Sequence, residues 1–281
     1  TSKQIALRCF AVTWVLKSSL EHKMGSLIIS YDCEGIWGTS DKLDSLDDTV
    51  FNRDSLINVY RQLVNLHEDF NMRATFAFVG AFIGTQENFL SNLKKYDNAI
   101  AVKKWTKSIL ASNCRFSEED LHIPELVDIV HLSSVDHELA SHGYSHVIMD
   151  EKCDDASLQF EISGIRSLIK DEGLDISTII FPRNVVSYQF LKGAQFIKGY
   201  RAPPKSLSSS RFIKRLFSLL KEFNPISRSE RLDKYKDKLV IPGDFFINWR
   251  SGLRSYVPIW MTVLRFRLAL NHACKNNGIV H

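Results

Sequence analysis

The stretch from Leu27 to Gly35, which reads LIISYDCEG, decides the fold. A short and mostly apolar run is followed at once by two acidic side chains, those of Asp32 and Glu34. This pattern is typical of a buried strand whose carboxyl end carries functional groups. We therefore predict a parallel sheet with a functional site at the carboxyl ends of its strands.

The rest of the chain alternates strand patterns with helix patterns. Further strands are predicted at 74–79, 135–140, 177–181, 196–200 and 238–241, and one more begins at Gly278. Apolar residues at helical spacing predict helices at 52–70, 125–132, 154–169, 189–194, 210–223 and 258–275. Alternation of this kind implies an α/β fold with a parallel sheet. Polar residues fall just after strands, which favours a barrel-like domain over an open doubly wound sheet.

Composition excludes several classes of protein. The chain has 281 residues, of which 44% are hydrophobic and 24% charged, so it is not a wholly disordered protein. A net charge of +4 is too small for a dedicated nucleic-acid binder. The five scattered cysteines favour a reducing compartment over a disulfide framework. No apolar run approaches the roughly 18–20 residues of a membrane span.

The densest polar cluster extends from His137 to His146. Within it, His142 and His146 have the H-x3-H spacing, from which two imidazoles can reach one metal ion. A third ligand is needed, and the carboxylates of Asp32 and Glu34 are natural suppliers. The spacing alone is a weak signal, so two unrelated loop histidines stay an alternative at this point. No phosphate-binding loop, dinucleotide-binding glycine motif or serine nucleophile elbow is present.

Four stretches together resemble the polysaccharide deacetylases, the family that includes the nodulation-type chitooligosaccharide deacetylases. Segment 30–35 (SYDCEG) resembles the first motif, 73–80 (RATFAFVG) the second strand, 138–146 (ELASHGYSH) the second motif and 181–184 (FPRN) the third. The resemblance is strongest to a subgroup with a D-x-E first motif and an FPRN third motif. We expect residues 1–23 to be an N-terminal extension outside the resemblance, and 24–281 to be the catalytic domain, with an irregular insertion that contains some helix at about 85–124.

The resemblance implies a distorted (β/α)7 barrel, here incomplete at the last strand, with one divalent metal ion, usually Zn²⁺. It implies that His142 and His146 are ligands and that Asp32 is the general base. The family has a second Asp directly after the base as the third ligand, and this chain has Cys33 there. We assign that role to Glu34, because its longer side chain can make up the displacement. Two alternatives remain. In the first, the Cys33 thiolate is the third ligand. In the second, Asp32 binds the metal and Glu34 is the base.

Other residues are expected to contact the base or the substrate. Arg183 is predicted to pair with Asp32 and keep it ionised, the alternative being a surface arginine in a proline turn. Trp37 would stack on a sugar face or pack in the core, and Arg201 would bind substrate or brace the site. The substrate-binding candidates are Trp37, Tyr144, Asn184 and Arg201.

The implied activity is hydrolysis of an acyl group, most simply acetyl, from the amide nitrogen of an amino sugar in a polysaccharide or glycolipid precursor. A metal ion acidifies water and polarises the carbonyl group, while a carboxylate takes the proton of the attacking water. One alternative is an amidohydrolase that acts on a small cyclic amide or ureide. The other is a metal-binding or glycan-binding protein that lacks turnover.

The last motif of the family carries a general-acid histidine, expected here within the pattern x-H-x-W-x-H-P. The chain ends at Gly278-Ile-Val-His281, which looks like the first half of that strand, so His281 would be the earlier histidine. We therefore expect a chain truncated at both ends. A cytoplasmic location is expected because no convincing signal peptide is present. The basic stretch 211–238 is a candidate for peripheral contact with an anionic glycolipid.

Overall fold

The computed structural model describes residues 8–9, 15–17, 24–46, 50–112, 115–203, 232–243 and 256–281. The strands are β1 (Arg8–Cys9), β2 (Val15–Lys17), β3 (Met24–Leu27), β4 (Ser30–Cys33), β5 (Thr75–Phe78), β6 (Glu138–Ser141), β7 (Thr178–Ile179), β8 (Gly199–Arg201), β9 (Asp233–Tyr235), β10 (Lys238–Ile241) and β11 (Ile279–Val280). The helices are α1 (Arg53–Asp69), α2 (Gly80–Ile83), α3 (Gln86–Lys95), α4 (Ile100–Leu110), α5 (Glu118–Leu121), α6 (Glu125–His131), α7 (Asp155–Asp171), α8 (Tyr188–Gly193) and α9 (Ile259–Asn276). Two 3₁₀ segments, Trp37–Ser45 and Pro182–Asn184, follow β4 and β7.

The main sheet is mostly parallel. Its strand order is β1-β4-β5-β6-β7-β8-β10-β9, and every neighbouring pair from β4 to β10 is parallel. The edge strands β1 and β9 are antiparallel to their neighbours. Because parallel strands end at the same edge of a sheet, the polar residues that follow β4, β6, β7 and β8 come together there.

A smaller sheet has the order β11-β3-β2, in which β11 is parallel to β3 and β2 is antiparallel to it. The predicted α/β fold with a parallel sheet is thus confirmed. A closed barrel does not follow from this pairing, because the described strands form two separate hydrogen-bonded sheets. Within the expected N-terminal extension, the backbones of β1 and β2 pair with β4 and β3.

The segment 85–124, expected to be an insertion with some helix, contains α3, α4 and α5, and caps define the ends of two of these helices. Thr85 accepts a hydrogen bond from the backbone N–H of Asn88, and Ser117 forms a reciprocal capping box with Asp120. Helix α4 packs against the 3₁₀ segment after β4, so the insertion lies beside the site rather than apart from the domain.

Helices cover the sheet through apolar faces, as the sequence period predicted. Asn52 caps α1, and the helix buries Leu56 and Tyr60, whose ring stacks 5.7 Å from that of Phe78 on β5. Asp154 caps α7 in the same way, by accepting from the N–H of Ser157. The predicted helix at 210–223 lies outside the described residues, as does most of the basic stretch 211–238. In the part of the chain that the structure describes, no helix combines the length and apolarity needed to cross a bilayer.

Candidate metal centre

Glu34, His142 and His146 meet at the carboxyl edge of the sheet. Their candidate ligand atoms all lie within 4.8 Å of one another. Oε2 of Glu34 is 2.8 Å from Nε2 of His146 and 3.5 Å from Nε2 of His142. Ligand atoms about 2.0–2.2 Å from a tetrahedral ion are roughly 3.3 Å apart, so these spacings fit one divalent ion. The two histidine side chains are buried, and Glu34 is nearly so.

The hydrogen bond of His142 and the buried position of His146 suit metal ligands. Nδ1 of His142 lies 2.7 Å from the carbonyl oxygen of Ile180. Because a carbonyl only accepts, Nδ1 carries the proton and Nε2 directs a lone pair toward Glu34 and His146. Burial lowers the pKa of His146, so this ring is neutral at physiological pH, as a ligand must be. Nδ1 of His146 is buried without a hydrogen-bond partner among the described residues.

Glu34 reaches the histidines because the following turn makes room for it. Gly35 has a φ of +48°, which favours glycine, and a Cβ on Gly38 would lie 2.2 Å from Cδ of Glu34. Burial raises the pKa of Glu34, but the adjacent imidazoles of His142 and His146 outweigh burial and hold the pKa well below its usual range. The longer side chain therefore reaches the two histidines, and the three residues form a group that could hold a metal ion.

Cys33, the first alternative ligand, is buried and its thiol donates to the carbonyl oxygen of Tyr31 at 3.4 Å. It does not belong to the group of candidate ligands found among the described residues. The geometry therefore favours Glu34 over Cys33 as the third ligand.

Asp32 lies beside this group and is bound by Arg201. Nη1 and Nη2 of Arg201 donate to the two carboxylate oxygens at 2.8 and 2.9 Å. Burial raises the pKa of Asp32, but the charge of Arg201 outweighs burial and lowers the pKa below its ordinary value. Because a guanidinium engages both oxygens, the reversed allocation with Asp32 on the metal is disfavoured.

The prediction that Arg183 pairs with Asp32 is wrong. Nη2 of Arg183 instead donates to Asp41 at 2.7 Å, and its guanidinium lies 5.5 Å from the ring centroid of Trp105. The backbone of Arg183 is left-handed, with a φ of +56°, which turns the side chain toward the 3₁₀ segment after β4. Arg201, at the end of β8, donates to Asp32 instead, which fits the bracing role that was one of its two expected roles.

Two of the substrate-binding candidates are buried in the core. Trp37 is 0% exposed, donates from Nε1 to the carbonyl oxygen of Leu121 and packs against Phe89. Tyr144 is 2% exposed and packs against Phe89 and Phe160. Neither ring presents a face to a sugar, so both expectations are corrected, and the core-packing alternative for Trp37 holds. Asn184 lies at the site, where its side-chain oxygen accepts from Nη2 of Arg201 at 3.0 Å.

Sequence reasoning missed Trp105, an aromatic residue of α4. Its ring centroid is 5.5 Å from that of His146, with an angle of 34° between the planes, and Arg183 lies over the same indole. No motif or spacing indicates this contact, because α4 belongs to the segment that was expected to be irregular. The segment 85–124 thus places an aromatic ring beside His146, one of the candidate ligands.

His281 is linked to Arg201 through the hydroxyl group of Ser30. Its Nδ1 is 2.5 Å from the carbonyl oxygen of Pro242, so Nδ1 donates there and Nε2 accepts from Oγ of Ser30 at 2.9 Å. The same Oγ accepts from Nη1 of Arg201 at 3.0 Å. Burial lowers the pKa of His281 to about 3, so the ring is neutral. The resulting chain of hydrogen bonds joins His281 to the Asp32–Arg201 pair.

Comparisons of the chain with protein-family models, with curated proteins and with solved structures give no match. The fold and the site together define an α/β protein with a buried centre of two histidines and one glutamate, beside an arginine-bound aspartate.

Proposed function

We propose that this protein is a metal-dependent hydrolase that removes an acyl group, most simply acetyl, from the amide nitrogen of an amino sugar. One observation carries the proposal: Asp32, held by Arg201, lies next to the group formed by Glu34, His142 and His146. A base beside a metal site is the arrangement that hydrolysis of an unactivated amide requires. The order of the deacetylase-like motifs along the chain, and the residues within them, support an N-acylated amino sugar as the substrate.

Each residue of the site then has a defined task. Glu34, His142 and His146 would hold the divalent ion, and Zn²⁺ suits two imidazoles and one carboxylate. When bound, the ion supplies Lewis acidity toward water and toward the amide carbonyl group. The ionised carboxylate of Asp32 accepts the proton of the attacking water, and Arg201 keeps that carboxylate charged and oriented.

We also propose that the main sheet closes into the distorted (β/α)7 barrel that the resemblance implies. His281 follows β11, and its imidazole contacts Pro242 after β10 on one side and Ser30 of β4 on the other. Strand β11 is parallel to β3, which precedes β4 in the chain. These contacts support a position for β11 between β10 and the β3–β4 segment.

A second candidate is a metal-binding or glycan-binding protein without turnover. Both ring nitrogens of His281 are engaged in hydrogen bonds, so this residue does not supply the general acid that amide cleavage needs. This observation keeps the binding function as the alternative.

The test combines metal analysis with acetate release. We expect the purified protein to bind about one Zn²⁺ per chain and to release acetate from N-acetylated chitooligosaccharides. His142→Ala and His146→Ala are the matched controls and should lose both properties. If the purified wild-type protein binds no metal ion, the proposed metal centre is wrong. Metal binding with ureide turnover but no acetate points to the cyclic-amide amidohydrolase, and metal binding without turnover points to the binding function.

A further inference from the structure

The loop that connects the two candidate histidine ligands has an unusual backbone. Gly143 has a φ of +79° and His146 a φ of +64°. A left-handed conformation costs a residue other than glycine about 1 kcal/mol, so His146 does not adopt it without support. The separation of the two imidazoles depends on this loop, because residues 143–145 are all that join them.

A single carboxylate from another element supports the loop. Glu161 lies in the middle of α7 and is 0% exposed. Its side chain accepts hydrogen bonds from the backbone N–H of Ser145 at 2.9 Å, from the N–H of Tyr144 and from Oγ of Ser145. Two successive N–H groups that converge on one anion form a small anion-binding nest. All three of these bonds go to the loop between the histidines.

Helix α7 contacts the same loop at a second point. Gly164 lies three residues after Glu161 and therefore on the same face of the helix. A Cβ at Gly164 would lie 2.2 Å from ring atoms of Tyr144, so the absence of a side chain allows that ring to rest on the helix. Helix α7 thus holds the loop by its backbone through Glu161 and by an aromatic ring through Gly164.

We propose that Glu161 is a positioning residue that sets the separation and orientation of His142 and His146 and thereby determines the metal affinity of the site. The inference rests on the proposed metal centre. Desolvation of a carboxylate is costly, and burial raises the pKa of Glu161 to about 7. An apolar residue would fill the space at lower cost, but it would leave the N–H groups of Tyr144 and Ser145 without an acceptor.

The variant Glu161→Gln tests the proposal. The amide keeps the shape of the side chain, but it accepts through one oxygen and turns an NH₂ group toward the N–H donors of the loop. We expect the Zn²⁺ affinity, measured by competition with a chromophoric chelator, to fall by about tenfold or more. The visible spectrum of the Co²⁺-substituted protein should change as well, because it reports ligand geometry rather than stability.

Ile162→Ala is the matched control. Ile162 is the next residue of α7, is 4% exposed and lies close to Gly193 of α8, away from the loop. This control should lower the free energy of unfolding but leave the metal affinity and the Co²⁺ spectrum unchanged. Equal metal affinity in Glu161→Gln and in the wild type overturns the inference, as does an equal loss of affinity in Glu161→Gln and Ile162→Ala.

Two further variants decide the question if Glu161→Gln does not fold. Ser145→Ala removes one of the three hydrogen bonds, and Gly164→Ala pushes Tyr144 away from α7. Both should weaken Zn²⁺ binding, and unchanged affinity in both overturns the inference. A wild-type protein that binds no metal contradicts the proposed function itself, whereas a failure of these variants alone leaves that function standing.

Discussion

Asp32 and Glu34 are two residues apart in the sequence, yet their surroundings separate their roles. Arg201 occupies both oxygens of Asp32, whereas Glu34 faces the two histidines. We expect Asp32→Asn to keep about one Zn²⁺ per chain and to lose acetate release by a factor of about 10²–10⁴, the usual contribution of a general base.

Metal analysis and the rate of acetate release, measured on the same preparation, check this prediction. The comparison variant is Glu34→Gln, which should lose the metal as well as the activity. If Asp32→Asn empties the site while Glu34→Gln retains the ion, the base and the third ligand are exchanged.

Gly38 leaves space for the side chain of Glu34, the third candidate ligand, and is not itself a candidate ligand. A Cβ at this position would lie 2.2 Å from Cδ and 2.5 Å from Oε2 of Glu34. Gly38→Ala should therefore displace the carboxylate and weaken Zn²⁺ binding about tenfold, as measured by chelator competition. Gly199→Ala is the control, because a Cβ there meets its nearest atom at 3.4 Å, an ordinary contact. Equal Zn²⁺ affinity in Gly38→Ala and Gly199→Ala would show that the turn after β4 can shift without displacing the carboxylate of Glu34.

At the scale of elements, the apolar pattern located β4 to β8, β10, β11 and the long helices α1, α7 and α9 to within a few residues, but it did not predict β1, β2, β3 or β9 as separate strands. The predicted strand at 238–241 coincides with β10, and the predicted helix at 52–70 contains α1. Both predictions rest on the local pattern of apolar residues. The helix expected within 85–124 was not assigned bounds, because the caps are short-range signals within a segment that has no clear apolar period.

The salt-bridge partner of Asp32 was harder to predict from the sequence than the three candidate metal ligands. His142 and His146 lie on one loop, and parallel strands place the end of β4 at the same edge, so their meeting with Glu34 followed from topology. The partner of Asp32 did not follow, because the left-handed backbone of Arg183 turns its side chain away from β4. A backbone conformation of this kind leaves little trace in a single sequence.

The opposite end of the sheet carries a buried histidine pair that makes the fold sensitive to acid. The rings of His67 and His137 are 5.3 Å apart, and Nδ1 of His137 accepts from the N–H of Ala74. Burial, reinforced by His67, lowers the pKa of His137 to about 4. Between pH 6.5 and about 4 the unfolded chain binds more protons than the folded one, so stability falls as the pH drops through that window.

His137→Asn should make that dependence shallower. The asparagine oxygen can take the place of Nδ1 as the acceptor for Ala74, and no imidazole remains at position 137 to be protonated. We expect the fall in the free energy of unfolding between pH 6.5 and 4 to shrink by on the order of 1 kcal/mol, measured by urea unfolding at several pH values. His131→Asn, at an exposed position, is the control. Parallel pH profiles for the two variants would assign the acid sensitivity to other groups.

At the scale of the whole molecule, the metal centre would join parts of the sheet that are distant in the chain. Glu34 follows β4, whereas His142 and His146 follow β6, with the helices α1 to α6 between them. An ion bound at this point closes a long loop and stabilises only the folded state, because the unfolded chain does not hold the three ligands together. Metal binding should therefore raise the stability of the domain as a whole.

Thermal unfolding with and without Zn²⁺ measures this linkage. An ion present at a free concentration of 100 times its Kd adds about 2.7 kcal/mol to the free energy of unfolding. In a domain of this size that corresponds to a rise in Tm of roughly 5–10 °C. A chelator should reverse the rise, and His142→Ala should show none. Because Asp32 is not a ligand in this arrangement, Asp32→Asn should keep the full shift, and the loss of that shift would mean that Asp32 holds the ion.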